Sequence, residues 1–188
     1  MDSFTDNALM LKVKSGDLDK LGHLFKRYGR SLYGFYFRFT RDPELSEDLV
    51  QDVFERVLKY RHTYRGDGKF ITWLYHLARN VLVDYHKRAA RLGIREDIGK
   101  KEEALPDTAA LGEATEKEAD LKLMELALDH LSEEKKELLL LTKFQGLKYK
   151  DIATIYNCSE ANVKVKVFRA VQDLREAFRK IQAKGISI

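Results

Sequence analysis

Trp73 and Asn80 stand two helical turns apart on one face of the segment FITWLYHLARNVLVDYHKRAAR, residues 70–91. An indole there could take the stacking of a base pulled from its duplex, and the amide could read that base's edge. Lys87, Arg88 and Arg91 follow on the same helix, where cations suit a phosphate backbone. The preceding stretch HTYRGDGK, residues 62–69, adds Tyr64, Arg65 and Lys69, and Phe70 opens the helix. A plainer use competes, in which Trp73 wedges against a neighbouring helix as buried aromatics commonly do. The residue types leave both open.

Opposite chemistry lies just upstream. Arg41 is the one base in residues 41–55, against six acids: Asp42, Glu44, Glu47, Asp48, Asp52 and Glu55. Asp48, Gln51, Asp52 and Glu55 share one helical face, which is unsuited to nucleic acid and suited to a basic protein surface. Residues 56–91 reverse the balance, with nine bases and only Asp67 and Asp84 as acids.

The third constellation is YKDIATIYNCSEANVKVKVFRAVQDL, residues 149–174. Ala153 is small where two helices would cross. Asn157 tolerates the left-handed backbone of a tight turn. Ile152, Tyr156, Cys158, Val163 and Val167 could pack the second helix on the first. These are the requirements of a helix-turn-helix. Ser159 can cap the second helix, which then offers Asn162, Lys164, Val165, Lys166, Phe168 and Arg169. In that motif the early part of the second helix meets base edges, and flanking cations meet phosphate. A helical hairpin with a basic face would show much the same pattern.

Other chemistry finds little support. His23, His62, His76, His86 and His130 are scattered without metal-ligand spacing, and Cys158 has no histidine partner in sequence. We expect no catalytic residues, no metal and no cofactor. A single cysteine leaves no intramolecular disulfide and fits a reducing compartment. The chain shows no signal peptide and no apolar run long enough for a bilayer. The expectation is a soluble cytoplasmic protein with no small-molecule substrate.

The elements that must hold these residues are helical throughout. Residues 6–14 form a short amphipathic helix ended by Gly16, and Asp17 can cap the next. That second helix, to about Phe39, is dense in aromatics suited to a core. Asp42-Pro43 is a cap followed by proline at the first helical position. A third helix follows, then the 62–69 loop and the helix of Trp73. Periodicity fails beyond Arg91 and returns at Ala119. Residues 1–91 carry 17 Lys/Arg against 12 Asp/Glu, residues 92–120 carry 4 against 9, and residues 121–188 carry 13 against 9. The expectation is an all-α chain of two small domains, 1–91 and 119–188, joined by a flexible acidic linker at 92–118.

Three blocks in this order and spacing resemble a bacterial sigma factor of the sigma-70 family, of the small extracytoplasmic-function (ECF) group. They are DLVQDVFERV (48–57), FITWLYHLARNVLVDYHKR (70–88) and LSEEKKELLLLTKFQGLKYKDIATIYNCSEANVKVKVFRA (131–170). The resemblance implies a protein that binds core RNA polymerase, directs it to promoter DNA and nucleates melting. Asp48, Gln51, Asp52 and Glu55 would dock on the polymerase β′ coiled-coil, and the C-terminal domain on the β flap. Tyr64, Arg65, Lys69, Phe70, Trp73 and Asn80 would melt and capture the −10 element, with Lys87, Arg88 and Arg91 on its backbone. Lys164, Val165 and Phe168 would read the −35 element, Lys166 and Arg169 would hold its phosphates, and Ser159 and Asn162 belong to the same surface. The linker would thread the RNA-exit path, and an anti-sigma factor is implied as a further partner. Val165 and Val171 depart from the small polar and basic residues common in the reading helix. A stand-alone helix-turn-helix regulator, or an adaptor that binds only proteins, remains the alternative.

Overall fold

The computed structural model describes residues 5–91 and 116–185, and these are α-helical with short connections. The first compact unit is built around α1 (Asp6–Lys14), α2 (Lys20–Thr40), α3 (Pro43–Tyr60) and α4 (Phe70–Arg91). The second is built around α5 (Glu116–Asp129), α6 (Glu133–Leu139), α7 (Tyr149–Tyr156) as far as Ala153, and α8 (Glu160–Gly185). Most of the expected linker lies outside the described residues. Its last residues, from Glu116, already belong to α5.

Local chemistry sets most helix ends in the first unit. Thr5 caps α1 by accepting from the Ala8 N–H, and Gly16 turns the chain at φ 108°. Asp17 does not cap α2, in contrast to expectation. Residues 17–19 form a turn of their own, Asp19 precedes the helix without a side-chain cap, and the Asp17 carboxylate sits 3.9 Å from Lys20 Nζ. Between α2 and α3, Arg41 takes a left-handed conformation, and Asp42 then accepts from the Leu45 N–H at 3.1 Å. Pro43 occupies the first position of α3, where its missing donor costs nothing.

The core of this unit is aromatic. Phe35, Tyr36 and Phe39 of α2 are buried with Phe70 and Tyr75 of α4, among aliphatic residues of α1 and α3. The phenols are satisfied, as buried hydroxyls require: Tyr36 donates to the Ala78 carbonyl at 2.9 Å, and Tyr75 pairs with Ser31 at 3.1 Å. Tyr33 and Phe37 instead stack on each other at the half-buried margin.

In the second unit, four consecutive leucines at 138–141 are all buried. An ordinary amphipathic stripe cannot bury four neighbours in sequence, so this helix is enclosed on more than one side. The helix widens into a π turn at Leu140–Phe144, and Gly146 closes it at φ 64°. The expected single helix to about 144 is therefore α6 plus a wider turn. The helix-turn-helix forms from α7 and α8 around Asn157, at φ 49°. Ile152, Val163 and Val167 are buried as expected, and Tyr156 and Cys158 are only half-buried. Val171 packs against the buried cluster of Leu128, Leu139 and Ala170. Its departure from a polar residue is thus a matter of core packing.

Candidate nucleic-acid interface

The loop 64–70 and the start of α4 gather the aromatic residues into one cluster. Trp73 is half-buried, with its ring centroid 5.2 Å from Tyr64 in a T-shaped pair and 6.2 Å from Phe70. Phe70 in turn lies 5.5 Å from Tyr28 of α2. Phe70 is 1% exposed and Tyr64 3% exposed. Both were expected at the surface that meets the −10 element, and both are buried here. They lie beneath Trp73 as support, and neither ring offers a face on which a base could stack. Trp73 is both packed and partly accessible, so the wedge and the shelf are not exclusive uses of its ring.

Burial, with Asp6 and Asp67 nearby, pushes the Tyr64 hydroxyl up to about 12, so it keeps its proton. His76, one turn beyond Trp73, is held below the usual histidine range by partial burial and by the Arg79 guanidinium. Arg65 and Lys69 are exposed on the loop, and Lys87, Arg88 and Arg91 are exposed along the last turns of α4. Asn80 is half-buried two turns from Trp73.

The acidic set also comes together. Asp48, Gln51, Asp52 and Glu55 line one groove between α3 and α4, floored by Leu45, Leu49 and Tyr85. The two charge regions are not separated as the sequence suggests, because α3 packs on α4. Arg56 meets Asp84 at 2.9 Å, and Arg88 meets Asp52 at 3.6 Å. Arg88 therefore borders both the acidic groove and the basic tail of α4. With Arg88 61% and Asp52 39% exposed, such a pair is worth about 0.2–1 kcal/mol and leaves both groups open to exchange.

On α8, Ser159 accepts from the Asn162 N–H at 3.2 Å and caps the helix. Val165 and Phe168 are 50% and 62% exposed, one turn apart. Asn162, Lys164 and Arg169 are exposed around them. Lys164 lies 3.8 Å from Glu160, and Lys166 forms an ion pair with Glu134 of α6. Elsewhere on this unit is a groove that sequence reasoning did not locate. Met124, Leu128, Leu139, Phe144 and Leu174 line it, with Lys143, Arg175 and Arg179 at its margin. Its residues come from three separate helices, so no periodicity in the sequence announces it.

The sigma-70 region 2 family model matches residues 24–92, and the sigma-70 region 4 model matches residues 121–174. The ECF RNA polymerase sigma factor SigM of Bacillus subtilis is 31% identical over 162 residues, 85% of this chain and 96% of its own length. The chain belongs to the ECF sigma factors of the sigma-70 family. The RNA polymerase sigma-H factor of Pseudomonas aeruginosa is 26% identical over 181 residues, 93% of this chain and 94% of its own. Two solved structures share the fold at 22% identity. CnrH, solved with the cytosolic domain of CnrY, has a TM-score of 0.69 over 93% of this chain and 97% of its own. RpoE of Bartonella quintana, solved with the anti-sigma factor NepR, has a TM-score of 0.65 over 85% and 96%.

This sigma factor directs RNA polymerase to promoters, as non-enzymatic transcription initiation factors of its family do. The region 2 match spans the acidic groove, the 64–70 loop and Trp73, and the region 4 match spans the exposed start of α8. Among the described residues no metal-ligating cluster occurs, and no helix is long and apolar enough to cross a membrane.

Proposed function

We propose that the α3–α4 groove docks on the β′ coiled-coil of core RNA polymerase, and that Trp73 is the shelf on which a −10 base lands after leaving its stack. The observation that carries this reading is the support under Trp73. An indole braced by Tyr64 and Phe70 keeps its orientation while part of it stays accessible. Asn80 reads the base edge, and Arg65, Lys69, Lys87, Arg88 and Arg91 hold the nearby backbone. Unstacking costs a few kcal/mol per base, and stacking on an aromatic ring returns about 1–3.

The second unit binds the −35 element through the start of α8. Val165 and Phe168 are suited to the C5-methyl of thymine, the one apolar group on a major-groove edge. Asn162 and Lys164 flank them, Ser159 fixes the helix start, and Lys166 and Arg169 meet phosphate. The apolar groove with its basic margin receives the β flap. A protein of this kind works in the cytoplasm and carries out no chemistry of its own. Its regulation by an anti-sigma factor is supported by the anti-sigma factor NepR present with RpoE.

The test is reconstitution with core polymerase. The protein should co-elute with core in a stoichiometric complex, and that complex should render −10 thymines reactive to permanganate. Trp73→Ala should keep the complex and lose the reactivity. Normal opening by that variant rules out the base shelf. Failure of the wild type to join core, with tight duplex binding alone, points instead to a stand-alone regulator.

A further inference from the structure

α1 precedes the residues that the region 2 model matches. Three of its residues, Asn7, Leu11 and Lys14, are spaced by four and then three, so they share one helical face. All three meet the loop that leads to Trp73. The Asn7 amide donates to the Gly68 carbonyl at 2.7 Å, and more distantly to that of Gly66 at 3.5 Å. Its Oδ1 accepts from the Phe70 N–H at 2.8 Å. Lys14 Nζ donates to the Tyr64 carbonyl at 2.6 Å. Between them Leu11 lies over Gly66, where an added Cβ would stand 3.3 Å from Leu11 Cδ2 and where φ is +79°.

This arrangement answers a local deficiency. The first N–H groups of a helix have no partner within it, and a side chain just before the helix usually supplies one. α4 follows Gly68-Lys69; the Lys69 carbonyl accepts from the Thr72 and Trp73 N–H groups, but a lysine side chain has no acceptor for the Phe70 N–H. The acceptor comes from Asn7, 63 residues upstream. The orientation of the Asn7 amide is fixed by its partners, since a flip would set its NH₂ against the Phe70 N–H. α1 is itself held in place. Leu9, Met10 and Val13 are buried, and Asp6 pairs with Arg27 and accepts from the Tyr28 hydroxyl.

We propose that α1 is a clamp that fixes the backbone of residues 64–70, and that Asn7 is a positioning residue for Trp73. The functional half of this proposal rests on Trp73 acting as the base shelf. Asn7 touches no DNA. It acts by holding the carbonyl ladder of the loop and the first turn of α4, which together set the height and tilt of the indole.

Trp73 is the only tryptophan of the chain, so its emission reports this cluster directly. In the full-length protein, Asn7→Ala should raise acrylamide quenching of Trp73 about twofold, as a loosened local segment admits quencher. In holoenzyme it should slow opening of a duplex promoter about tenfold, the scale expected of a misplaced group. Affinity for core polymerase, and initiation from a template already melted over the −10 element, should stay near wild type. Asn7→Asp keeps the acceptor for Phe70 and loses the donor to Gly68, so it should fall between. Lys14→Met removes the ammonium while keeping the stem, and should give a smaller rise in quenching should Asn7→Ala prove poorly folded.

Unchanged quenching in both Asn7→Ala and Lys14→Met overturns the clamp. Raised quenching with normal opening overturns the positioning role. Should Trp73→Ala itself open promoters normally, the base-shelf reading fails, and the quenching result still decides the clamp.

Discussion

The two units hold their candidate DNA-facing residues by different means. In the second unit the supports are mostly local. Asn157 turns the chain, Ser159 caps α8 three residues before Asn162, and Glu160 pairs with Lys164 one turn on. In the first unit the supports are remote, since Trp73 rests on a loop tied to α1 by bonds spanning 50 to 63 residues. A locally built reading helix can be re-tuned residue by residue. A remotely braced aromatic shelf cannot be altered without consulting the rest of its domain.

The largest expected effect tests whether the first unit carries polymerase binding. Asp48→Lys with Asp52→Lys should lower affinity for core at least about 100-fold, since like charges set against a basic surface cost several kcal/mol. A fluorescence titration with labelled protein measures it, and unchanged affinity places the docking surface elsewhere. Next, Trp73→Ala should reduce promoter opening about 5- to 150-fold, the value of one base stacked on an aromatic ring. Its core affinity should not move.

The remaining effects sharpen the contrast. Ser159→Ala should destabilise the second unit by about 1 kcal/mol, the usual loss of a helix cap, in urea unfolding followed by circular dichroism. Smallest of all is the loss of one methyl. Replacing a −35 thymine under Phe168 by deoxyuridine should cost about 0.8 kcal/mol of holoenzyme affinity, or roughly fourfold. Phe168→Ala should abolish that difference, and equal sensitivity in both proteins would remove Phe168 from base reading.

How much was legible in the sequence follows the same division. Asp42-Pro43, Asn157 and Ser159 act on their immediate neighbours, and their types and positions foretold the turns and caps that form. The all-α class followed from periodicity, and the family from three ordered blocks. What stayed hidden is set by partners far along the chain. Tyr64 and Phe70 sit among charges and glycines, as exposed residues would, yet both are buried, Phe70 beside Tyr28 of α2. Asn7 carries no signal, because its partners lie some 60 residues away. Asp17 had the right chemistry for a cap, but the turn at 17–19 moved the helix start beyond its reach. Val171 looked like a change in the reading face, and only the packing of α5 and α6 on α8 showed it to be half-buried against Leu128, Leu139 and Ala170.

The ion pair between Lys166 and Glu134 bears on how the second unit responds to its ionic surroundings. A lysine surrounded by water binds phosphate by displacing condensed cations from the duplex, and each such exchange steepens the dependence of affinity on salt. Lys166 has a carboxylate beside it already. A phosphate that takes its ammonium leaves Glu134 to recruit a cation from solution, which offsets the ion released from the DNA. If Lys166 holds a −35 phosphate as proposed, that contact should depend less steeply on salt than one made by a lysine with no ionic partner.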